Sequence, residues 1–164
     1  MSETNASTRT VPVVQKLLTA NEEVAADNRV ALKGHGITTI NIMASPGAGK
    51  TTLLLATIKA MAEATSGRRL GVIEGDVASQ VDADAISETG TPVVQINTGG
   101  ACHLDAPMVR QGMKSLPLDD LDLVLVENVG NLICPVSFDL GQDYNVGLLS
   151  VPEGHDKSYK YPGI

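Results

Sequence analysis

Gly47, Ala48, Gly49, Lys50 and Thr51, with Thr52 next, form a run whose residue types suit a polyanion. A glycine-rich loop that opens into a helix presents a ring of backbone N–H groups at the positive end of the helix dipole, and such a ring binds phosphate oxygens. The amides of Gly47, Ala48 and Gly49 would form that ring, because glycine lets backbone approach a phosphate closely. Lys50 would reach the β- and γ-phosphates, the Thr51 hydroxyl would hold Mg²⁺, and Thr52 would donate to the α-phosphate. The usual phosphate-binding loop starts with a glycine separated by four residues from its G-K-S/T end, and Ala44 stands at that place. Extended backbone at a strand end accepts alanine without strain, so the substitution is expected to cost little. The plain alternative, a turn without a ligand, is disfavoured by the apolar strand before the loop and the helix after it.

Two acids stand where they could hold Mg²⁺. Asp76 closes "VIEGD" and Glu127 follows "LVLV", each at the C-terminal end of an apolar run. Ligands of open parallel sheets bind along that edge. Gly130, three residues after Glu127, could offer its N–H to a γ-phosphate, which makes "ENVG" resemble a D-x-x-G switch with Glu in place of Asp. A mere strand-capping role is the alternative for both acids. Glu74 reads as a surface acid.

A second cluster has different chemistry. Cys102 and His103 follow two glycines, and Cys134 follows "ENVGNLI"; these are the only cysteines in the chain. Two thiolates and an imidazole suit Ni²⁺ or Zn²⁺ and not Mg²⁺. Three ligands leave an open position, as a transferable ion requires, and a symmetric dimer could complete the set. A free-thiol pair or a disulfide are the alternatives. His35 and His155 are isolated and read as surface residues.

The elements that must position these residues alternate. "VPVVQKLLTANEEVAADNRVALKGHG" has helical spacing, with Pro12 in a first turn and Gly34 and Gly36 at the end. It predicts an amphipathic helix over about 12–33, whose polar breaks at Asn21 and Asn28 suggest a surface position. Strands are expected at "ITTINIMA", "RLGVIEGD", "PVVQI", "LDLVLVENVG" and "YNVGLLSV". Helices are expected after the phosphate loop, with Leu54, Ile58, Met61 and Ala62 inward, and at "VDADAISETG" and "DAPMVRQGMKSL". Apolar strands separated by helices predict an α/β fold, a mostly parallel sheet with helices on both faces. The chain divides into a flexible polar tail (1–10), a helical segment (11–36) and a P-loop domain (37–164). The two cysteine-bearing loops are expected to leave neighbouring strands.

Bulk properties exclude several classes. With 43% hydrophobic and 19% charged residues, the 164-residue chain is globular rather than disordered. Its net charge of −7 gives no electrostatic footprint for nucleic acid, and no basic run suggests a membrane surface. The polar start "MSETNASTRT" is not a secretory signal, so a cytoplasmic protein with reduced thiols is expected.

Taken together, "SPGAGKTTLL", "VIEGD", "VVQINTGGACHLDA", "LVLVENVGNLICP" and "FDLG" closely resemble the hydrogenase nickel-incorporation GTPases, the HypB family, from about Val14 to Pro162. The cysteine-bearing stretches are particular to that group, whereas the loop is shared with urease and methylmalonyl-CoA mutase accessory GTPases. The resemblance implies a P-loop GTPase that binds GTP or GDP with Mg²⁺ and dimerises with GTP. It further implies delivery of nickel during nickel–iron hydrogenase maturation, with a nickel-handling chaperone and the hydrogenase large subunit as partners. By resemblance, Cys102, His103 and Cys134 match an interfacial nickel or zinc site. Lys50 and Thr51 match phosphate and Mg²⁺ contacts, and Asp76 and Glu127 fall in switch regions, where with Lys50 they serve hydrolysis.

Two departures stand out. The chain has no Cys-rich or His-rich N-terminal extension. It also has no N-K-x-D, which in the family follows the segment matching "YKYP", so guanine specificity rests on resemblance alone and a C-terminal truncation is expected. Two further readings stay open: a non-enzymatic metal-binding and docking protein with a defective nucleotide site, and another P-loop accessory GTPase or kinase.

Overall fold

The five runs expected as strands are too short for ordinary helices, and all five are strands. The computed structural model describes residues 13–64, 67–77 and 81–164. The expected 1–10 tail and Pro12 lie outside them. The strands are β1 (Thr38–Ala44), β2 (Leu70–Asp76), β3 (Val93–Asn97), β4 (Leu123–Glu127) and β5 (Tyr144–Leu148). They form one parallel sheet in the order β3-β2-β4-β1-β5. The helices are α1 (Val13–Gly34), α2 (Lys50–Glu63), α3 (Val81–Ser87), α4 (Ala106–Met113) and the short α5 (Lys157–Lys160).

Strand alternation divides the core into two layers. Val72 and Leu125 point to one face, where Leu54 and Ile58 of α2 and Ile86 of α3 cover them. Ile73, Val124 and Val126 point to the other, beneath Leu32 of α1 and Val109 and Met113 of α4. Of the four inward residues expected on α2, Leu54 and Ile58 are buried, Met61 is half-buried and Ala62 is exposed. The helix diverges from the sheet over its last turn. Gly112 interrupts α4 for packing: a β-carbon there would lie 3.2 Å from Ile96 and 3.3 Å from Ile73.

α1 lies on the surface with most of its described residues exposed, but the two asparagines that suggested this position face inward. Its buried stripe comprises Asn21, Ala25, Asn28 and Leu32, and Asn28 is only 1% exposed. The two asparagines lie inside because backbone groups there need partners. Asn28 Nδ2 donates to the carbonyls of Ala106 (2.9 Å) and Leu140 (3.0 Å), and its Oδ1 accepts from Arg110 Nε (3.1 Å). Asn21 Oδ1 accepts from Ala106 N at 2.8 Å, and its Nδ2 donates to the Asp139 carbonyl at 2.7 Å. Polar residues in the stripe thus bind α1 to the start of α4. Among the described residues, no helix is long and apolar enough to cross a membrane.

Candidate functional site

The loop from Ser45 to Gly49 runs from β1 into α2. Ala44 is the last residue of β1 and is fully buried, and among the described residues none other than glycine has a positive φ. Extended backbone there needs no glycine. Gly47 (φ 73°) and Gly49 (φ 98°) do adopt the left-handed conformation, and Gly49 caps α2 without a side-chain hydrogen bond. The first amides of α2 therefore point into the loop. Ala48 N donates to Ser45 O at 3.2 Å, closing the turn. Thr51 is half-buried and Thr52 exposed. Gly130 passes against the loop: a β-carbon there would stand 2.9 Å from Pro46 Cα.

The acids gather on the α2 face of the same edge. Thr51 Oγ1 donates to Glu127 Oε1 at 3.0 Å, and Lys50 Nζ lies 4.0 Å from that oxygen. Glu74 pairs in register with Glu127 across β2 and β4, and it is 2% exposed. The surface reading of Glu74 is therefore wrong: it alternates with Asp76 onto the enclosed face of a central strand. Burial first, then Glu127, Asp76 and Asp82, push its carboxyl up to about 8, with Lys50 opposing. Burial also raises Glu127, against Lys50 and the Thr51 hydrogen bond. One oxygen of each, Glu74 Oε2 and Glu127 Oε2, is buried without a hydrogen-bond partner. Unsatisfied hard oxygens beside a threonine hydroxyl fit a divalent cation of the Mg²⁺ type. Asp76 is half-buried, and its Oδ1 accepts from Val77 N at 2.6 Å.

The second cluster also forms. The ligand atoms of Cys102, His103 and Cys134 all lie within 4.8 Å of one another, with Cys102 exposed and the other two half-buried. Cys102 Sγ is 3.7 Å from His103 Nδ1. The hydrogen bond with Cys134 raises the Cys102 thiol, with some help from burial. Burial lowers the His103 imidazole against the pull of Asp105, which favours the neutral, ligating form. Phe138 stacks on His103 at 3.9 Å between centroids, and Asn131 Nδ2 donates to the Cys102 carbonyl at 3.1 Å.

The two cysteine loops do not leave neighbouring strands, because β2 lies between β3 and β4. The loop after β3 crosses the end of β2 at Gly75. A β-carbon on Gly75 would stand 2.6 Å from Leu104 Cγ, and Leu104 is fully buried there. A missing side chain gives the loop its path to Cys134. His35 pairs with Asp119 at 2.9 Å, and His155 is exposed, both apart from the cluster. Sequence reasoning missed Glu74, Gly75, Leu104 and Phe138. The i, i+2 spacing of Glu74 and Asp76 in an apolar strand was the available signal for the first.

The profile of the CobW/HypB/UreG nucleotide-binding domain matches residues 38–147. The chain belongs to the CobW/HypB/UreG family. Within it, the chain is 46% identical over 156 residues to the hydrogenase maturation factor HypB of Azotobacter chroococcum mcd 1, covering 95% of this chain and 50% of that protein. The crystal structure of HypB from Helicobacter pylori in complex with nickel is similar at 40% identity and TM-score 0.82, covering 88% of this chain and 66% of that one. That of the hydrogenase maturation factor HypB from Archaeoglobus fulgidus is similar at 42% identity and TM-score 0.80, covering 89% and 70%. The chain spans about half the length of the first curated relatives it matches, 50% and 52%.

Proposed function

We propose that this chain is the catalytic part of a GTP-hydrolysing metallochaperone, which binds nickel and couples hydrolysis to nickel delivery in hydrogenase maturation. The observation that carries this reading is the junction of two unlike sites at one sheet edge. A phosphate loop facing buried carboxylates lies on one side, and a Cys-His-Cys cluster forms where the loop after β3 meets the segment that follows Glu127. The names of the relatives, one of them a hydrogenase/urease maturation factor from Helicobacter pylori, support the pathway, and the nickel complex of the similar solved structure supports the cargo.

In this reading the amides of Gly47, Ala48 and Gly49 hold the phosphates, with Thr52 on the α-phosphate, and Lys50 moves from Glu127 toward the β- and γ-phosphates. Thr51, Glu127 and Asp76 hold Mg²⁺. That ion neutralises phosphate charge when bound. Catalysis is then positioning and charge stabilisation while water attacks the γ-phosphate. The amide of Gly130, a residue with no room for a β-carbon beside Pro46, contacts the γ-phosphate, and losing that contact loosens the segment that carries Cys134. Ni²⁺ is the cargo of Cys102, His103 and Cys134, with Zn²⁺ a competitor for the same thiolates. A GTP-dependent homodimer brings two such clusters together, and a nickel-handling chaperone and the hydrogenase large subunit exchange the ion with it in the cytoplasm.

Calorimetric titration of the chain with GTP, GDP and ATP in Mg²⁺ tests this directly. GTP and GDP binding far tighter than ATP is the expected result. The competing reading is a non-enzymatic metal-binding and docking protein with a defective nucleotide site. That reading is supported if no nucleotide binds while Ni²⁺ still does. Replacing Cys102 and His103 together should abolish tight Ni²⁺ binding, and unchanged affinity would remove the metal assignment.

A further inference from the structure

Glu127 and Asn128 are consecutive at the end of β4, and strand alternation sends their side chains to opposite faces of the sheet. Glu127 meets Thr51 and Lys50 on the phosphate side. Asn128, fully buried, turns toward the metal loop. Its Oδ1 accepts from Leu104 N and from Val129 N, each at 3.0 Å. Both partners are backbone donors, which fixes the orientation of the amide and leaves Nδ2 to donate. Nδ2 donates to Asn41 Oδ1 at 3.1 Å, and Asn41, fully buried on β1, donates to Asn145 Oδ1 on β5 at 3.0 Å.

Leu104 directly follows His103. Its side chain seats on Gly75, the residue between Glu74 and Asp76 on β2. The metal loop is thus keyed to the sheet twice, each time beside an acid of the phosphate side. Two residues further on, Ala106 is held through its N by Asn21 and through its O by Asn28, both on α1. Within three residues, therefore, the α4 end of the loop is tied both to residues that adjoin the nucleotide site and to α1, which lies on the other face of the sheet.

We infer that Asn128 and the Leu104–Gly75 seat are the link through which the nucleotide state sets the spacing of Cys102 and His103 relative to Cys134. Asn128 is a positioning residue: it touches neither nucleotide nor metal and acts through the Leu104 amide. This rests on the proposed function, since a link needs two occupied sites. A shift of the Glu127 backbone when the γ-phosphate departs carries Asn128 with it, because one peptide joins them. The buried Asn41 contact makes that motion follow β1 rather than dissipate, as an unpaired buried amide is costly.

The test is the coupling, not the affinity. Ni²⁺ binding is measured by competition with a chromophoric chelator on the full chain, loaded with Mg²⁺ and either GDP or a non-hydrolysable GTP analogue. Wild type should show affinities that differ between the two states by a factor in the range of about 5–150. Asn128→Ser and, independently, Gly75→Ala should each bring that ratio to within about twofold of unity while both nucleotides still bind. Gly75→Ala acts on the seat through the Leu104 side chain and leaves the Asn128 amide in place, so it remains informative if Asn128→Ser does not fold. Weakening of Ni²⁺ equally in both states, with the ratio intact, would make these residues structural only and overturn the link. A wild-type ratio of one overturns it as well. A wild type that binds no Ni²⁺, or no nucleotide, overturns the proposed function beneath it.

Discussion

At the scale of single residues, the site is a set of opposed environments. Glu74 and Glu127 face each other across two strands, yet only Glu127 has a hydroxyl and an ammonium beside it. Glu74 is left to take up a proton, with its carboxyl at about 8 against an ordinary 4.5. Between those pH values the folded chain binds a proton that the unfolded chain has released, so stability falls as pH rises through that window. Glu74→Gln removes the titration. Its advantage over wild type should therefore grow from pH 5 to pH 8 and then level off, reaching on the order of a few kcal/mol. Urea unfolding at several pH values, in nucleotide-free buffer with a chelator, measures it; a difference that does not change with pH would mean Glu74 is ionised throughout. On the metal side, Phe138 is the chain's single phenylalanine and it lies against His103. Phe138→Ala should free the imidazole to rotate and weaken Ni²⁺ binding by about tenfold, as loss of an orienting neighbour does at other metal ligands. Nucleotide affinity, measured on the same sample, should not move.

Among the elements, α1 depends most on a few polar contacts. Asn28→Ala would leave the Ala106 and Leu140 carbonyls and the Arg110 Nε without their partner. The expected loss is about 3 kcal/mol, because each buried group left unsatisfied costs roughly 1–3 kcal/mol. Equilibrium unfolding checks it, and a loss well under 1 kcal/mol would show that water enters and replaces the amide. This helix also shows where reading the sequence succeeded and where it failed. Its length and its stop at Gly34 followed from periodicity and a glycine, both local properties. Its surroundings did not follow, since an asparagine in a helical stripe looks the same whether it faces water or the backbone of α4. The strands were legible for the same local reason: runs such as "LVLV" have no other use than a covered sheet. The glycine turn into α2 and the grouping of Cys102, His103 and Cys134 were legible because the chemistry read into them demands residue types and spacing. The crossing of β2 was not, because it depends on sheet order, and Gly75 acquires its meaning only once Leu104 is known to lie above it. Glu74 was misjudged because enclosure is a property of two neighbouring strands and not of one.

Across the whole molecule, the sheet separates two chemistries. Carboxylates and the phosphate loop occupy the α2 side, buried amides the α1 side, and the metal loop crosses between them at the C-terminal edge. This arrangement leaves β5 as an edge strand with β1 its partner among the described residues. Ile164 lies over Gly147 on one face, but Tyr144 and Val146, which alternate with it onto the α2 side, are 62% and 39% exposed. An uncovered apolar edge pairs readily with another copy of itself. Such pairing would be confused with the GTP-dependent dimer in any assay of assembly, and the two have different requirements. Edge association needs no nucleotide and rises with concentration; the dimer proposed here needs GTP. Sedimentation of nucleotide-free wild type should therefore reveal concentration-dependent self-association, which Val146→Lys abolishes. The lysine adds charge to an exposed position, so folding stability should change by less than about 0.5 kcal/mol. In the same variant the GTP-dependent species should persist. If nucleotide-free association survives Val146→Lys, the edge is not the surface responsible; if the GTP-dependent species vanishes with it, β5 itself forms part of the dimer contact.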